Sequence, residues 1–363
     1  MSGLVTNNSL NCGALDQSME KHTNRIETHL PELEQLNSIL HRGERFLRVA
    51  TIAQSATKNH LYPIHSISLG TEDPNKPAIA FVGGVHGIER IGTQVVLAFL
   101  DTLVNRMLWD TTLIDALKQV KLVFIPLVNP VGMLRNWRAN GNGVDLMRNA
   151  PIDADSKVPL MVGGHRISPA FPWYRGPKGK GMEQESQALI DEIKKELFPA
   201  PFSLVVDCHS GFGFQDRIWF PYAYSKTHKI DHLAEIYQLR DMFFSTYPHQ
   251  SYLFEPQSRH YTTHGDLWDF AYQQAIAENR NFIPLTLEMG SWKWIKKNPL
   301  QIRNALGIFH PIRPHRVRRV LRHHQLLMEF LIRATRSYAF WTQTMNKDEK
   351  THMANTLWYG GSK

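Results

Sequence analysis

Residues 78–90 read AIAFVGGVHGIER. Ala78 to Val82 form an apolar run without polar alternation, the pattern of a strand buried on both faces, as in a parallel sheet. Two glycines then let the chain leave that strand through a tight turn. His86 and Glu89 follow three positions apart, a spacing that projects both to one side of a helical turn. The next segment, ERIGTQVVLAFLDTLVNRML (89–108), has apolar residues every three to four positions and predicts an amphipathic helix. VKLVFIPLV (120–128) is a second buried run. Strand, helix and buried strand make a crossover unit.

Working outward, FLRVATIA (46–53) and YPIHSISLG (62–70) alternate like strands. EQESQALIDEIKKELF (183–198) is a second amphipathic helix, followed by the buried run FSLVVDCHS (202–210). Strand-like RIWFPYAY (217–224), helical DHLAEIYQLRDMFFSTY (231–247) and a last buried run, FIPLTLEMG (282–290), complete the pattern. The alternation predicts an α/β domain with helices on both faces of a mixed sheet. Residues 1–30 are expected to form a polar arm, 31–340 a single catalytic domain, and 341–363 a C-terminal tail. RGPKGKGME (175–183) reads as a surface loop and not a phosphate loop, because no strand runs straight into it.

With 363 residues, 42% of them hydrophobic, the chain can bury a full core without staples. No apolar run approaches the roughly 20 residues that span a bilayer, and no basic-then-apolar leader is visible at the start. Cys12 and Cys208 lie far apart, which excludes a disulfide framework and makes a cytoplasmic location the expectation. The net charge of +8 comes mostly from dispersed basic residues. The one dense cluster, RPHRVRRVLRHH (313–324), carries Val317, Val320 and Leu321 at helical spacing. It reads as the solvated face of a C-terminal helix, so neither a nucleic-acid partner nor a membrane is expected.

In open α/β sheets a ligand site lies beyond the carboxyl ends of the strands. Three buried strands deliver histidine or carboxylate to that rim: His86 and Glu89, then Asp207 and His209, then Glu288. Strand alternation puts Asp207 and His209 on one side and turns Cys208 away as a core thiol. Two histidines and a carboxylate form the open three-ligand set of a catalytic zinc, so His86, Glu89 and His209 are expected to hold one Zn2+ per chain. Asp207 is placed either to orient His209 or to stabilise the turn. Glu288 is then free to act as the base. The loop NPVGMLRNWRANGNGVDLMRNAP (129–151) brings Arg135, Arg138 and Arg148, and a guanidinium can polarise a carbonyl or clamp a carboxylate.

The ordered set HGIE, NPVGM with NWRANGNGVDLMRN, DCHSG, GDLWDFAY and TLEMG resembles the zinc metallocarboxypeptidase family over about residues 45 to 290. The resemblance implies a three-layer α/β/α fold whose central sheet is mixed, mostly parallel, and of about eight strands. It implies metal ligands at His86, Glu89 and His209, a catalytic Glu288 and a carbonyl-polarising Arg138. It also implies that Arg148 grips a substrate carboxylate, and that Tyr272 is the tyrosine closing over the substrate. The family usually reads DLNRN where this chain reads DLMRN, so Met147 replaces an asparagine and cannot donate its hydrogen bond. The expected partner is a peptide or an acyl-amino acid. Two rival readings stand beside the peptidase. One is an amidase resembling the murein-peptide amidases or the aspartoacylase and succinylglutamate desuccinylase group, which Met147 favours. The other is a non-catalytic binding protein, which the intact Glu288 opposes.

Overall fold

A computed structural model describes residues 29–360. Helix α1 (Pro31–Gly43) precedes an antiparallel pair, β1 (Arg48–Ala56) and β2 (Leu61–Gly70). The crossover unit then appears as β3 (Ala78–Gly83), α2 (Arg90–Arg106), α3 (Thr111–Leu117) and β4 (Lys121–Ile125). It is followed by α4 (Pro130–Leu134), α5 (Gln184–Leu197), β5 (Ser203–Ser210), β6 (Arg217–Phe220) and α6 (Leu233–Thr246). The rest of the sheet comes from β7 (Leu253–Pro256) and β8 (Phe282–Met289), with α7 (Leu267–Ala277) between them. The chain continues through α8 (Trp292–Lys297), α9 (Ala305–Phe309), α10 (Pro314–Arg336), α11 (Tyr338–Thr344) and α12 (Lys347–Ala354).

The eight strands make one sheet in the order β1-β2-β4-β3-β5-β8-β6-β7. Its centre, β4-β3-β5-β8, is parallel, with antiparallel pairings where β2 meets β4 and β6 meets β8. Every residue of β3, β5 and β8 is buried, as unalternated apolar runs require. On one face Phe81 of β3 packs edge-on against Phe99 of α2 at 5.2 Å, and α10 joins α2 there. α5 and α7 cover the sheet elsewhere, against β3 and β8 respectively. The three-layer expectation therefore matches the architecture.

The structure differs from the sequence reading in a shorter β6, which ends at Phe220, in one added strand and in the C-terminal segment. β7 is a four-residue edge strand too short to show a period. The segment expected as a tail from residue 341 is helical and belongs to the main core: Trp341, Ala354 and Trp358 are buried in it. Trp358 donates its indole N–H to the Phe254 carbonyl, and Trp341 donates to that of Ala334. The arm expected over 1–30 lies, up to residue 28, outside the described residues. Among the described residues no single helix is long and apolar enough to cross a membrane.

Candidate metal centre and active site

The site is built where three parallel strands end. At the end of β3, Gly84 takes φ +69, a left-handed turn that lets the chain fold back immediately. Gly87 follows, and a Cβ there would lie 2.1 Å from the Gly132 carbonyl carbon, so only glycine fits. His86 and Glu89 therefore sit in a turn just before α2 and not within the helix. The turn is closed by the Glu89 N–H donating to the His86 carbonyl at 3.1 Å. The same-side projection expected from their spacing survives, because a turn closed between i and i+3 also brings these residues together. β5 supplies Asp207 and His209, and in the parallel register His209 lies beside Glu288 of β8.

The side chains converge closely. His86 Nδ1 is 2.9 Å from Glu89 Oε1, and His209 Nδ1 is 3.0 Å from Glu89 Oε2. The two Nδ1 atoms are 3.1 Å apart. Each ring is held from behind by a carboxylate: His86 Nε2 by Asp145 at 2.9 Å, and His209 Nε2 by Asp207 at 2.6 Å. A carboxylate accepts, so each Nε2 carries the proton, and in the neutral rings both Nδ1 lone pairs point into the same space. Two lone pairs and a carboxylate at that spacing can share one cation. A tetrahedral zinc with bonds of about 2.0–2.1 Å is satisfied by this donor set, with a fourth position open. The residues fit the metal.

Charge agrees with that demand. Burial would raise the Glu89 carboxyl, but His86 and then His209 override it and hold it well below the usual range. Burial would lower His209, but Asp207 and Glu89 push it well above its ordinary value. Both directions are those of a centre that favours positive charge. Asp145 is the hinge of the arrangement: Oδ1 takes the His86 N–H, and Oδ2 takes the Arg138 Nε–H at 2.8 Å. Arg138 also donates from Nη1 to Glu89 at 2.8 Å. Burial, then proximity to Glu89, pushes the Glu288 carboxyl up to about 8, while the Phe212 N–H holds Oε1 at 2.9 Å.

A cavity of about 380 Å³ opens over the centre. Its walls include His86, Glu89, Arg138, Arg148, His209 and Glu288, so the structure brings six of the seven expected residues together. Met147 lines it too, as an apolar wall beside Arg148. Arg148 spends Nε on the Val162 carbonyl and Nη1 on that of Met147. Cys208 is buried and free, turned away from the cavity.

Tyr272 is the exception: it does not line the cavity. It is fully buried in α7, its hydroxyl bonded to His232 Nδ1 at 2.8 Å and to the Asp231 N–H at 3.0 Å. It is a core residue. The tyrosine that lines the cavity is Tyr261, in the loop between β7 and α7. Burial holds its phenol above the ordinary value, with Arg148 opposing and Glu288 adding to the shift, and both share the cavity wall with it. Its sequence signal was its place in a loop at the carboxyl rim, where binding residues concentrate. Asp145 was also missed as a partner for His86, and so was Trp268, whose indole N–H donates to Asp207 at 2.9 Å.

The chain matches the zinc carboxypeptidase family over residues 33–302. It is 34% identical over 228 residues to a carboxypeptidase B of Helicoverpa zea, covering 57% of this chain and 51% of that protein. It is 26% identical over 221 residues to an inactive metallocarboxypeptidase of Arthroderma otae, covering 58% of this chain and 37% of that one. The chain spans about half or less of the length of these curated relatives. Among solved structures, a carboxypeptidase A from Helicoverpa armigera superposes with a TM-score of 0.62 at 18% identity, covering 84% of this chain and 72% of that one. That likeness establishes the fold.

Proposed function

The chain belongs to the zinc carboxypeptidase family, and from that premise we propose that it is a zinc-dependent exopeptidase cleaving the amide bond next to a C-terminal carboxylate. The observation that carries this reading is the single cavity in which His86, Glu89 and His209 face Glu288, Arg138 and Arg148. His86, Glu89 and His209 would hold the zinc, which supplies Lewis acidity toward water and the scissile carbonyl. Arg148, buried at the cavity wall, pairs with the substrate's terminal carboxylate and so fixes which amide lies over the centre. Arg138, charged at every relevant pH, offers positive charge where an oxyanion develops.

Glu288 moves the proton. Its burial favours proton uptake, so the carboxylate takes a proton from the attacking water and passes it to the leaving amine. The Phe212 N–H fixes one oxygen and keeps the group aimed during both transfers. Tyr261, in the loop over the same cavity, is placed to hydrogen-bond the bound substrate. An intact base and donor set support activity, although one relative carries the name of an inactive protein. We also propose a cytoplasmic address from the scarcity of cysteine, which cell fractionation would test.

The experiment is Glu288→Gln. It removes the base while keeping the shape and the hydrogen bond from Phe212. Turnover of N-acyl dipeptides should fall about 10²–10⁴-fold with zinc content unchanged. A variant within a few-fold of the wild type would refute Glu288 as the base.

A further inference from the structure

A second cavity, of about 330 Å³, lies between α8 and the first turns of α10, apart from the metal centre. Its lining is strongly basic: Lys293, Lys297, Arg316 and Arg319 face a single carboxylate, Asp216. Asp216 is already neutralised. Its Oδ1 accepts from the Gly290 N–H at 2.9 Å and from Lys293 Nζ at 2.7 Å, and His323 Nε2 stands 3.5 Å from Oδ2. Lys297, Arg316 and Arg319 have no carboxylate partner among the described residues. Arg316 is instead fixed by two backbone carbonyls, those of Trp294 and Lys297, both at 3.3 Å. A guanidinium held by neutral acceptors at a cavity wall keeps its whole charge for a ligand.

Asp216, His323 and His324 also bring three donor atoms close enough for a metal ion. The surroundings decide against it. Lys293 already occupies the carboxylate, and three further uncompensated cations would repel a divalent ion. The same groups suit an anion: the Arg319 guanidinium and the Lys297 ammonium are free to donate, and the fixed charge of Arg316 lies beside them around a space larger than one phosphate, with Trp294 and Val320 as apolar wall.

We propose that this cavity binds a small phosphorylated metabolite through its phosphate dianion, with the remaining volume taken by the group that carries the phosphate. The site has a structural tie to the catalytic rim. Asp216 holds Gly290, two residues beyond Glu288, and Trp292 donates to the Gly211 carbonyl beside Phe212.

The test is calorimetric titration of the zinc-loaded full chain at constant ionic strength with inorganic phosphate, pyrophosphate and adenosine monophosphate, against chloride as control. The Lys297→Ala/Arg319→Ala double variant changes two exposed side chains, so its fold should be kept, as circular dichroism would verify. We expect one saturable site, weakened about tenfold or more in the double variant, while hydrolysis of a dipeptide in phosphate-free buffer is unchanged. Stronger binding of adenosine monophosphate than of phosphate would identify an organic phosphate as the class; the reverse would identify the free ion. Saturable binding equal in wild type and double variant would overturn the proposal, since it would lie at the metal centre. Absence of saturable binding would overturn it as well. So would a second equivalent of zinc lost on His323→Ala, which would make the cluster a metal site.

Discussion

Arg148→Ala tests the substrate reading where this chain departs from its relatives. Arg148 is 3% exposed and donates from Nε and Nη1 to two neutral carbonyls, so these bonds orient it without neutralising its charge. Nη2 makes neither bond. A substrate carboxylate meeting this group forms a charge-assisted pair worth about 1.5–3 kcal/mol, or about 10- to 150-fold in kcat/KM. Met147 adds no hydrogen bond, so the whole preference for a free acid should rest on one residue. The assay compares kcat/KM for an N-acyl dipeptide and its C-terminally amidated twin, in the wild type and in Arg148→Ala. The wild type should prefer the acid by about that factor, and the variant should lose the preference mainly through the acid substrate. Met147→Asn should gain at most the roughly 0.5–1.5 kcal/mol of a neutral hydrogen bond. Equal turnover of acid and amide by the wild type would refute the clamp and favour the amidase reading.

Three further outcomes are expected. His86→Ala and His209→Ala should each abolish stoichiometric zinc, measured by atomic emission after dialysis, because two donors do not make the closed set; full zinc retention in the double variant would overturn the centre. Tyr261→Phe should impair hydrolysis with little change in melting temperature. Tyr272→Phe should do the opposite, since its hydroxyl holds His232 and the Asp231 amide, and steady-state kinetics with calorimetry separates the two. Burial depresses His324 to about 3 and His310 to about 4, against about 6.5 in an unfolded chain. Both are neutral when folded, so their contribution is intact above pH 6.5 and is lost as pH falls from there towards 3. At pH 5 His324 alone should have cost about 2 kcal/mol. The fall in melting temperature between pH 7 and pH 5, taken in acetate and not phosphate buffer, should be smaller in His324→Gln.

What the sequence made legible follows from how local each determinant is. His86, His209 and Glu288 stand at the ends of buried runs whose burial is written in their own composition, and an open sheet gathers such ends by topology alone. Glu89 follows from its spacing to His86, whether the intervening backbone is a helix or, as found, a turn. Asp207 follows from strand alternation. Tyr261 and Asp145 have no such local signature. Both lie in irregular segments whose path is set by distant partners: the Asp145 N–H donates to the Tyr174 carbonyl, and the Gly265 N–H to that of Ile152. A Cβ at Gly265 would lie 1.9 Å from the Arg148 carbonyl oxygen, so the loop carrying Tyr261 is pressed directly onto the strand of chain that carries Arg148. Tyr272 misled for the converse reason. It sits in a recognisable short motif, but that motif is helical, and an aromatic on the buried side of a helix is claimed by the core. The C-terminal segment is open on the same grounds: its aromatics could cover the domain or a second subunit, and only the contacts of Trp358 with β7 and Trp341 with α10 show that they cover the domain. The residues at the strand ends are thus placed by the sheet and can be read early, whereas Tyr261 and Asp145 are placed by loop-on-loop contacts that leave no local signature. Met147 is placed in the same way: its consequence for recognition depends on Arg148 lying beside it without a direct ion pair among the described residues, an arrangement fixed by the Val162 carbonyl fourteen residues away.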